Sequence, residues 1–256
     1  MLPLTTTSPR VGDATRPAEK PNLDADALAG ALRRQLRGEV RFDKGSRALY
    51  ATDASNYRQV PIGVVIPRDA DDVIATVDVC RRFGAPILGR GGGTSLCGQC
   101  CNVAVVMDFS KYMDRILDFD PDGKRARVQP GVVLDMLRNA AEKHHLTFGP
   151  DPSTHNHCTL GGMIGNNSCG VHSVMAGKTD DNVIDLDVLL YDGTRLRVGR
   201  TGEDEFKRIV RGGGRPRGSG IPVGMLIGAG ALLGALLWKS GTQQTEDPRT
   251  AGGKAP

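Results

Sequence analysis

The segment Gly89-Arg-Gly-Gly-Gly-Thr-Ser-Leu-Cys-Gly-Gln99 is the part of the chain on which the fold prediction rests. Its three consecutive glycines lack Cβ atoms, so the backbone can take positive φ angles and bring successive N–H groups onto a phosphate. The hydroxyls of Thr94 and Ser95 add donors, and Arg90 supplies either a charge for the phosphate or an ion pair inside the fold. The segment therefore favours a phosphate-bearing ligand.

Two well-known phosphate loops do not fit this segment. The dinucleotide fingerprint G-x-G-x-x-G is not met, because Gly89, Gly91 and Gly93 alternate and no suitable helix-forming run follows them. A Walker A loop is also absent from the sequence. Residues 228–234 do match G-x-G-x-x-G, but only 22 residues follow, too few for a βαβ unit. A diphosphate must be held in some other way.

The elements on either side of the segment predict a small lobe that contains a βαβ unit. A short β-rich run covers 63–67, apolar residues recur at helical spacing over 69–83, and two further apolar runs cover 86–88 and 103–107. Strand, helix and strand in that order indicate a right-handed crossover. Upstream, Asp24 is placed to cap a surface helix over 25–37.

The pattern changes after residue 115 and predicts a second, larger lobe. Residues 116–120 and 125–129 form a hairpin pattern, 131–145 a helix, and 183–190 with 194–198 a second hairpin around Asp192-Gly193. The predicted fold class is therefore α+β, with a βαβ-containing lobe and a mainly antiparallel lobe. The polar stretch 149–182 between the lobes is typical of a ligand-binding loop.

Composition narrows the function classes. The 256 residues are 39% hydrophobic and 24% charged, and the net charge of +4 comes from 33 basic and 29 acidic residues that are interspersed. With few aromatic residues as well, nucleic-acid binding gains little support. No secretory signal precedes the six cysteines, so reduced cytosolic thiols are expected. The spacing Cys97-x-x-Cys100-Cys101 suits a metal or redox pair or plain loop thiols; with no second ligand pair nearby, we predict no metal.

Several motifs, in order over about residues 40–215, resemble the FAD-binding (PCMH-type) domain of the vanillyl-alcohol oxidase/PCMH flavoprotein superfamily. The pattern is most similar to FAD-linked D-lactate, glycolate and D-2-hydroxyglutarate dehydrogenases. Besides the glycine segment, the motifs are Asp151-Pro-Ser153, Cys158-Thr-Leu-Gly-Gly162, Asn166-Asn-Ser168 and Gly177-Lys-Thr-Asp-Asp-Asn-Val183.

This resemblance implies an extended FAD between the lobes. Residues 90–95 would meet the diphosphate, 158–170 the adenosine and ribityl portions, and Val183 the flavin or its linker through backbone atoms. The implied binding residues are Arg90, Gly91, Gly92, Gly93, Thr94, Ser95, Gly98, Asp151, Cys158, Thr159, Gly162, Gly165, Asn167, Gly170 and Val183. Some relatives attach the flavin covalently through a loop His or a later Cys. Thr94 holds that loop position here, so we expect noncovalent FAD.

The resemblance also implies the chemistry. Relatives oxidise a 2-hydroxy acid by passing hydride to flavin N5, while a separate cap domain supplies the base and the carboxylate-binding Arg. We assign no catalytic residue here, because the histidines at 144, 145, 155, 157 and 172 favour capping or loop hydrogen bonds. The expected function is the FAD-binding domain of a 2-hydroxy-acid oxidoreductase whose cap is supplied elsewhere. The alternatives are a membrane-tethered flavin-binding module without turnover and an inactive gene fragment.

The ends of the chain complete the predicted domain map. Residues 1–22 form a disordered arm, 23–211 the FAD-binding domain, 212–220 a Gly/Arg linker and 239–256 a disordered tail. The 18 uncharged residues 221–238 reach the minimum for a transmembrane helix, or else they are a foreign reading frame. We therefore expect a cytoplasmic protein, with an inner-face membrane anchor only if this segment inserts.

Overall fold

The computed structural model describes residues 23–199, 202–204, 207, 232–236 and 238–239. They form a four-stranded sheet, a five-stranded sheet and a two-stranded pair, with helices packed on the sheets. The predicted α+β fold with two sheets is confirmed.

The first lobe is built on the four-stranded sheet. Its elements are α1 (Ala25–Gln35), β1 (Glu39–Arg41), α2 (Lys44–Leu49), β2 (Gly63–Ile66), α3 (Ala70–Arg82), β3 (Ile87–Arg90) and β4 (Val105–Asp108). The strand order is β1-β2-β4-β3, in which β2, β4 and β3 are parallel and β1 is an antiparallel edge strand. All residues of β2 and β4 are buried, as expected for inner strands covered on both faces.

The predicted βαβ unit is present, with β4 inserted between its two strands. Helix α3 begins where the Asp69 side chain accepts hydrogen bonds from the N–H groups of Asp71 and Asp72. Its buried face, which includes Val73 and Val77, packs into the core of the first lobe. Strand β3 continues two residues further than predicted and includes Gly89 and Arg90. The glycine loop therefore begins directly at the end of a parallel strand.

The second lobe is built on the five-stranded antiparallel sheet. Its elements are β5 (Ile116–Asp120), β6 (Arg125–Val128), α4 (Leu134–Glu142), β7 (Leu146–Thr147), α5 (Leu160–Asn166), α6 (Ser173–Ala176), β8 (Val183–Leu189), β9 (Arg195–Gly199), β10 (Leu232–Leu236) and β11 (Trp238–Lys239). The strand order is β5-β6-β10-β8-β9. Leu137 of α4 and Leu160 of α5 lie in one buried core with Val128 of β6.

The two lobes contact each other near the β8–β9 turn. The Tyr191 hydroxyl donates to the backbone carbonyl oxygen of Ala85 at 2.8 Å and lies 3.3 Å from that of Cys80. Leu189, at the end of β8, is buried in the core of the first lobe. These contacts join the β8–β9 hairpin of the second lobe to the first lobe.

The predicted helix over 221–238 is wrong for the part of it that the structure describes. Residues 232–236 form β10 between β6 and β8, and 238–239 pair with β7. In this position β10 satisfies backbone hydrogen-bonding groups on the facing edges of two strands, which a helix cannot do. Residues 221–231 and 237 lie outside the described residues, as do 1–22, 212–220 and 240–256. None of the described helices has the length and apolar character needed to cross a membrane.

Candidate functional site

The glycine loop packs directly against the segment that precedes α5. A Cβ atom on Gly91 would lie 2.0 Å from Thr159 Oγ1, and one on Gly92 would lie 2.2 Å from the His157 carbonyl oxygen. Real Cβ contacts are never this short, so both positions need glycine for the close approach. Gly93 has a φ of +66° and its carbonyl accepts from the Ala54 N–H at 3.0 Å.

Between these two segments lies a cavity of about 280 Å³, which we call the glycine cavity. Its volume is near the lower end for ligand pockets, so it encloses only part of a dinucleotide. None of the described residues that line it is Asp, Glu, Lys, Arg or His. The lining residues are Gly91, Gly92, Gly93, Thr94, Ser95, Leu96, Cys97, Gln99, Cys100, Thr154, Cys158, Thr159, Gly162, Asn166 and Ser168.

The loop presents free hydrogen-bond donors to this cavity. The backbone N–H groups of residues 91–96 donate to no acceptor within the described part of the chain. Thr94 and Ser95 place hydroxyls on the same wall. Successive backbone N–H groups without a partner in the chain, beside a cavity, are typical of an anion site.

The opposite wall is held in place by backbone hydrogen bonds to the residues around the start of α4. The N–H of Leu134 donates to the Cys158 carbonyl at 3.1 Å, and the N–H of Leu160 donates to the Val132 carbonyl at 2.8 Å. The Thr159 hydroxyl accepts from the Gly162 N–H and begins α5. This wall is therefore rigid independently of a ligand.

Arg90 supports the loop from behind and does not line the cavity. Its Nη1 donates to the Cys100 carbonyl at 3.2 Å, with a longer contact of 3.4 Å to the Tyr50 carbonyl. The guanidinium carbon lies 5.3 Å from the centre of the Tyr50 ring. A Cβ on Gly93 would meet Arg90 Nη2 at 2.7 Å, so the guanidinium lies directly under the loop. In the structure the partners of Arg90 are therefore two carbonyls and a ring, and its contact with a phosphate stays a prediction.

Two carboxylates extend this support. The Tyr50 hydroxyl donates to Asp108 at 2.6 Å; burial, followed by the Asp108 carboxylate, raises the pKa of the Tyr50 phenol. Asp53 accepts from the Cys100 N–H at 3.2 Å and from the Ser55 N–H at 2.9 Å. Burial alone would raise the pKa of Asp53, but these hydrogen bonds outweigh it and hold that pKa below its usual range.

The structure brings eight of the predicted binding residues to the glycine cavity. They are Gly91, Gly92, Gly93, Thr94, Ser95, Cys158, Thr159 and Gly162. The other seven do not line it, namely Arg90, Gly98, Asp151, Gly165, Asn167, Gly170 and Val183. Direct contact with a cofactor stays a prediction for both sets.

Several of the predicted binding residues that do not line the glycine cavity have local structural roles. Gly98, at φ +77°, turns the loop against the Tyr57 ring. Asn167 ends α5 in a left-handed conformation, and its side chain accepts from the Asp180 N–H. Asp151 binds the ring and the backbone N–H of His172, and a Cβ on Gly170 would meet the Asp151 carbonyl oxygen at 2.1 Å.

Seven lining residues were missed by the sequence analysis. They are Leu96, Cys97, Gln99, Cys100, Thr154, Asn166 and Ser168. Each lies within or next to a recognised motif. The sequence therefore identified the right segments but not the particular residues that face the cavity. A motif marks a loop, and only the fold decides which of two neighbours, such as Asn166 and Asn167, faces inward.

The histidines of the later loop are held by neighbouring side chains. His155 Nδ1 lies 2.8 Å from Asp135, His172 Nδ1 contacts Asp151, and His157 Nδ1 lies 2.7 Å from Asn156. Asp135 and His172 line a separate cavity of about 520 Å³ beside α4. Residues of the loop 149–158 line both cavities, Gly149 this one and Thr154 and Cys158 the glycine cavity.

The structure is a two-lobed α+β domain in which a glycine loop faces a polar loop, and its strand order differs from that of the Rossmann fold. A family model described as "FAD binding domain" matches residues 61–199, just over half of the chain. The chain belongs to this family of FAD-binding domains.

Curated relatives agree with this family. The chain is 39% identical over 180 residues to D-2-hydroxyglutarate dehydrogenase of Pseudomonas putida, covering 69% of this chain and 18% of that protein. It is 39% identical over 171 residues to glycolate oxidase subunit GlcD of Bacillus subtilis, covering 64% of this chain and 36% of that protein. The chain therefore spans well under half the length of these relatives.

Solved structures show the same fold at lower identity. Alkyldihydroxyacetonephosphate synthase matches with a TM-score of 0.65 at 19% identity, covering 83% of this chain and 40% of the synthase. Carbohydrate oxidase from Microdochium nivale also matches at 0.65, with 14% identity, covering 83% of this chain and 43% of the oxidase. These likenesses support the fold alone.

Proposed function

We propose that the glycine cavity binds the diphosphate of noncovalent FAD, and that the domain serves the oxidation of a 2-hydroxy acid. The observation that carries the cofactor site is the row of unpaired N–H groups at residues 91–96 beside the cavity. The hydroxyls of Thr94 and Ser95 add donors on the same wall. Neutral donors fixed by the fold can stabilise an anion without a nearby cation.

The close approach of Gly91 and Gly92 to the opposite wall fits this use. A side chain at either position would push the loop away from residues 157–159 and change the spacing of the cavity. Cys158, Thr159 and Gly162, which also line the cavity, are proposed to lie along the cofactor beyond its diphosphate. In this proposal Arg90 positions the loop, and its charge does not contact the phosphates.

Noncovalent binding is supported by the chemistry of the cavity thiol that the resemblance singled out. Burial raises the pKa of the Cys158 thiol, so it is protonated at neutral pH and a poor nucleophile. We expect acid precipitation of the reconstituted protein to release all flavin into the supernatant. Flavin that stays with the pellet would contradict this part of the proposal.

The cofactor site is tested with a glycine pair. We expect the full chain to bind one FAD with a resolved visible spectrum, and Gly92→Ala to weaken binding by about 100-fold or more, equivalent to ~3 kcal/mol. Gly30→Ala on α1 is the control, because Gly30 is not among the predicted binding residues and a Cβ there would have Arg34 Nη1 as its nearest atom, at an ordinary 3.5 Å. Affinity is measured by quenching of flavin fluorescence on titration. Equal affinities for the two variants would remove the glycine cavity from the cofactor site.

The proposed reaction class rests on the relatives. When bound, the flavin of such an enzyme accepts a hydride from its substrate. The relatives named D-2-hydroxyglutarate dehydrogenase and glycolate oxidase subunit support a 2-hydroxy acid as that substrate. The described lining of the glycine cavity offers hydrogen-bond donors and no acid or base, so its task in this proposal is to hold and orient the cofactor. The proton acceptor and the carboxylate-binding cation then come from elsewhere.

A cytoplasmic location remains part of the proposal, together with the 2-hydroxy acid as partner. Cell fractionation should place the full chain with the cytoplasmic fraction, and any membrane contact through 221–238 would place it with membranes instead. The alternative of a flavin-binding module without turnover shares the cofactor site and differs only in the reaction.

A further inference from the structure

Two cysteines of the glycine loop lie on the wall of the proposed cofactor site. Cys97 is exposed, Cys100 is half-buried, and both line the glycine cavity. Gly98, which lies between them, has a φ of +77°, and the turn that follows it is closed by the Cys101 N–H donating to the Gly98 carbonyl at 3.1 Å. We propose that Cys97 and Cys100 are a thiol-modification site, forming a reversible disulfide that controls FAD binding. The control of FAD binding rests on the proposed function; the disulfide itself does not.

The other described cysteines are less suited to this chemistry. Cys101 is buried with its Sγ 3.9 Å from the Tyr57 carbonyl oxygen, and burial raises the pKa of its thiol. Cys80 lies in the core of the first lobe, where burial raises its pKa to about 12. Since the thiolate is the reactive form, exposed loop thiols react first. Cys169 is exposed but does not line the glycine cavity, which makes it a matched control.

The backbone around Cys100 is held on two sides, so bond formation moves its side chain. Its N–H donates to Asp53 and its carbonyl accepts from Arg90, each at 3.2 Å. Its Sγ lies 3.2 Å from Ser95 Oγ on the cavity wall. When Cys100 bonds to Cys97, its Sγ leaves the contact with Ser95 Oγ. The Ser95 hydroxyl, one of the proposed phosphate donors, then loses this partner and can change its orientation.

The oxidant is a low-molecular-weight disulfide such as oxidised glutathione. The Cys97 thiolate attacks one glutathione sulfur, forming a mixed disulfide and releasing one glutathione thiolate. The Cys100 thiolate then attacks the Cys97 sulfur and releases the second glutathione. Two electrons pass from the protein thiols to glutathione disulfide, and excess reduced glutathione reverses both steps.

Binding and oxidation are thermodynamically linked. If the disulfide weakens FAD binding, bound FAD must disfavour the disulfide by the same factor. The cofactor-free domain is then the form that is oxidised, and reduction restores its capacity to take up FAD.

The experiment treats the full chain with oxidised glutathione, with and without FAD, and maps its disulfides by mass spectrometry. We expect the peptide with all three loop cysteines to lose two hydrogen atoms in the cofactor-free protein, and FAD to slow this loss. The variant C101S should behave identically, which assigns the bond to Cys97 and Cys100. Oxidation should weaken FAD binding about tenfold, the effect of one lost charge-assisted hydrogen bond.

The variants C97S and C100S should bind FAD equally well before and after oxidant, whereas C169S should respond like the wild type. Loop thiols that stay reduced, stop at the glutathione adduct or bond to Cys158 would overturn the proposal, as would a Cys97–Cys100 disulfide with unchanged FAD affinity. A reduced chain that fails to bind FAD would refute the proposed function instead. The disulfide map would still decide whether the thiol pair exists.

Discussion

Arg90 belongs to the glycine segment, yet its guanidinium contacts two backbone carbonyls and the Tyr50 ring. We expect Arg90→Gln to lower the stability of the cofactor-free protein by about 1–3 kcal/mol, through the lost hydrogen bonds and cation–π contact. Urea unfolding measures this loss. Arg82→Gln is the control, because its exposed pair with Asp78 contributes little.

A direct phosphate contact by Arg90 predicts a different result. The wild-type FAD affinity would then fall steeply with added salt, and Arg90→Gln would leave the unfolding midpoint unchanged. We expect the opposite: an affinity nearly independent of salt, because the described cavity lining contains only neutral groups. Titrations at low and high salt distinguish the two roles.

The contrast between Arg90 and Gly92 shows what sequence can predict at the scale of a residue. Three adjacent glycines have few uses other than close approach or positive φ, and the structure shows both. An arginine is compatible with a ligand, a carbonyl or an aromatic ring, and only the packing of Tyr50 and Cys100 around it selects the last two. The backbone N–H donors of the glycine loop could be predicted from the sequence, whereas the partners of the Arg90 guanidinium could not.

At the scale of an element, the edge strand β1 is held by Glu39. This carboxylate accepts from Lys111 Nζ at 2.5 Å and from the Tyr112 hydroxyl at 2.6 Å, and it also pairs with Arg41. These contacts, led by Lys111, lower the pKa of Glu39 to about 2. Because the folded pKa lies below the unfolded one, the stabilisation is full above about pH 4.5 and is lost as the pH falls towards 2.

We therefore expect Glu39→Gln to destabilise the protein by about 1–2 kcal/mol near neutral pH. The difference from wild type should shrink progressively between about pH 4.5 and pH 2. Urea midpoints across this range provide the measurement. Asp78→Asn, which removes the two exposed ion pairs of Asp78 with Arg81 and Arg82 on α3, should cost less than about 1 kcal/mol. A Glu39→Gln effect that does not vary with pH would mean that the ionised carboxylate is not what holds β1.

Strand β10 is the element that the sequence predicted least well. Its run of Leu, Gly and Ala has no alternation with polar residues, so the local pattern favours an apolar helix. Only the separation of β6 from β8, which are not paired with each other, provides a place for a strand there. Tertiary pairing of this kind is invisible to local periodicity, whereas β2 and α3 were predictable from their own apolar patterns.

This placement of β10 has a measurable consequence. A chain that ends at residue 211 should unfold at a temperature lower by about 5 °C or more, the shift produced by ~2 kcal/mol. It should also associate, because β6 and β8 then expose unpaired edges. A chain that ends at residue 240 is the control, since it retains β10 and β11. Equal melting temperatures and equal elution volumes for the two truncated chains would exclude β10 from the sheet.

At the scale of the whole molecule, cofactor binding and turnover can be measured separately. The described residues around the glycine cavity provide neutral donors only, and the chain corresponds to 18% and 36% of the two relatives compared above. In the FAD-loaded chain we expect anaerobic D-lactate, glycolate or D-2-hydroxyglutarate to leave the flavin absorbance unchanged, while dithionite bleaches it. Bleaching by one of the three acids would show that the chain itself contains the proton acceptor.

A domain exchange then decides between the oxidoreductase domain and the module without turnover. Residues 61–199 replace the matching segment of the Pseudomonas putida relative, which shares 39% identity with this chain. If this domain holds and orients FAD for 2-hydroxy-acid oxidation, the hybrid should bind FAD and its flavin should be bleached by D-2-hydroxyglutarate. The same hybrid with Gly92→Ala should lose both properties. A hybrid that binds FAD with a normal spectrum but is not reduced by the acid would favour the module without turnover. The remainder of the relative is present in that hybrid, so the missing reduction would mean that this domain does not orient the flavin for the reaction.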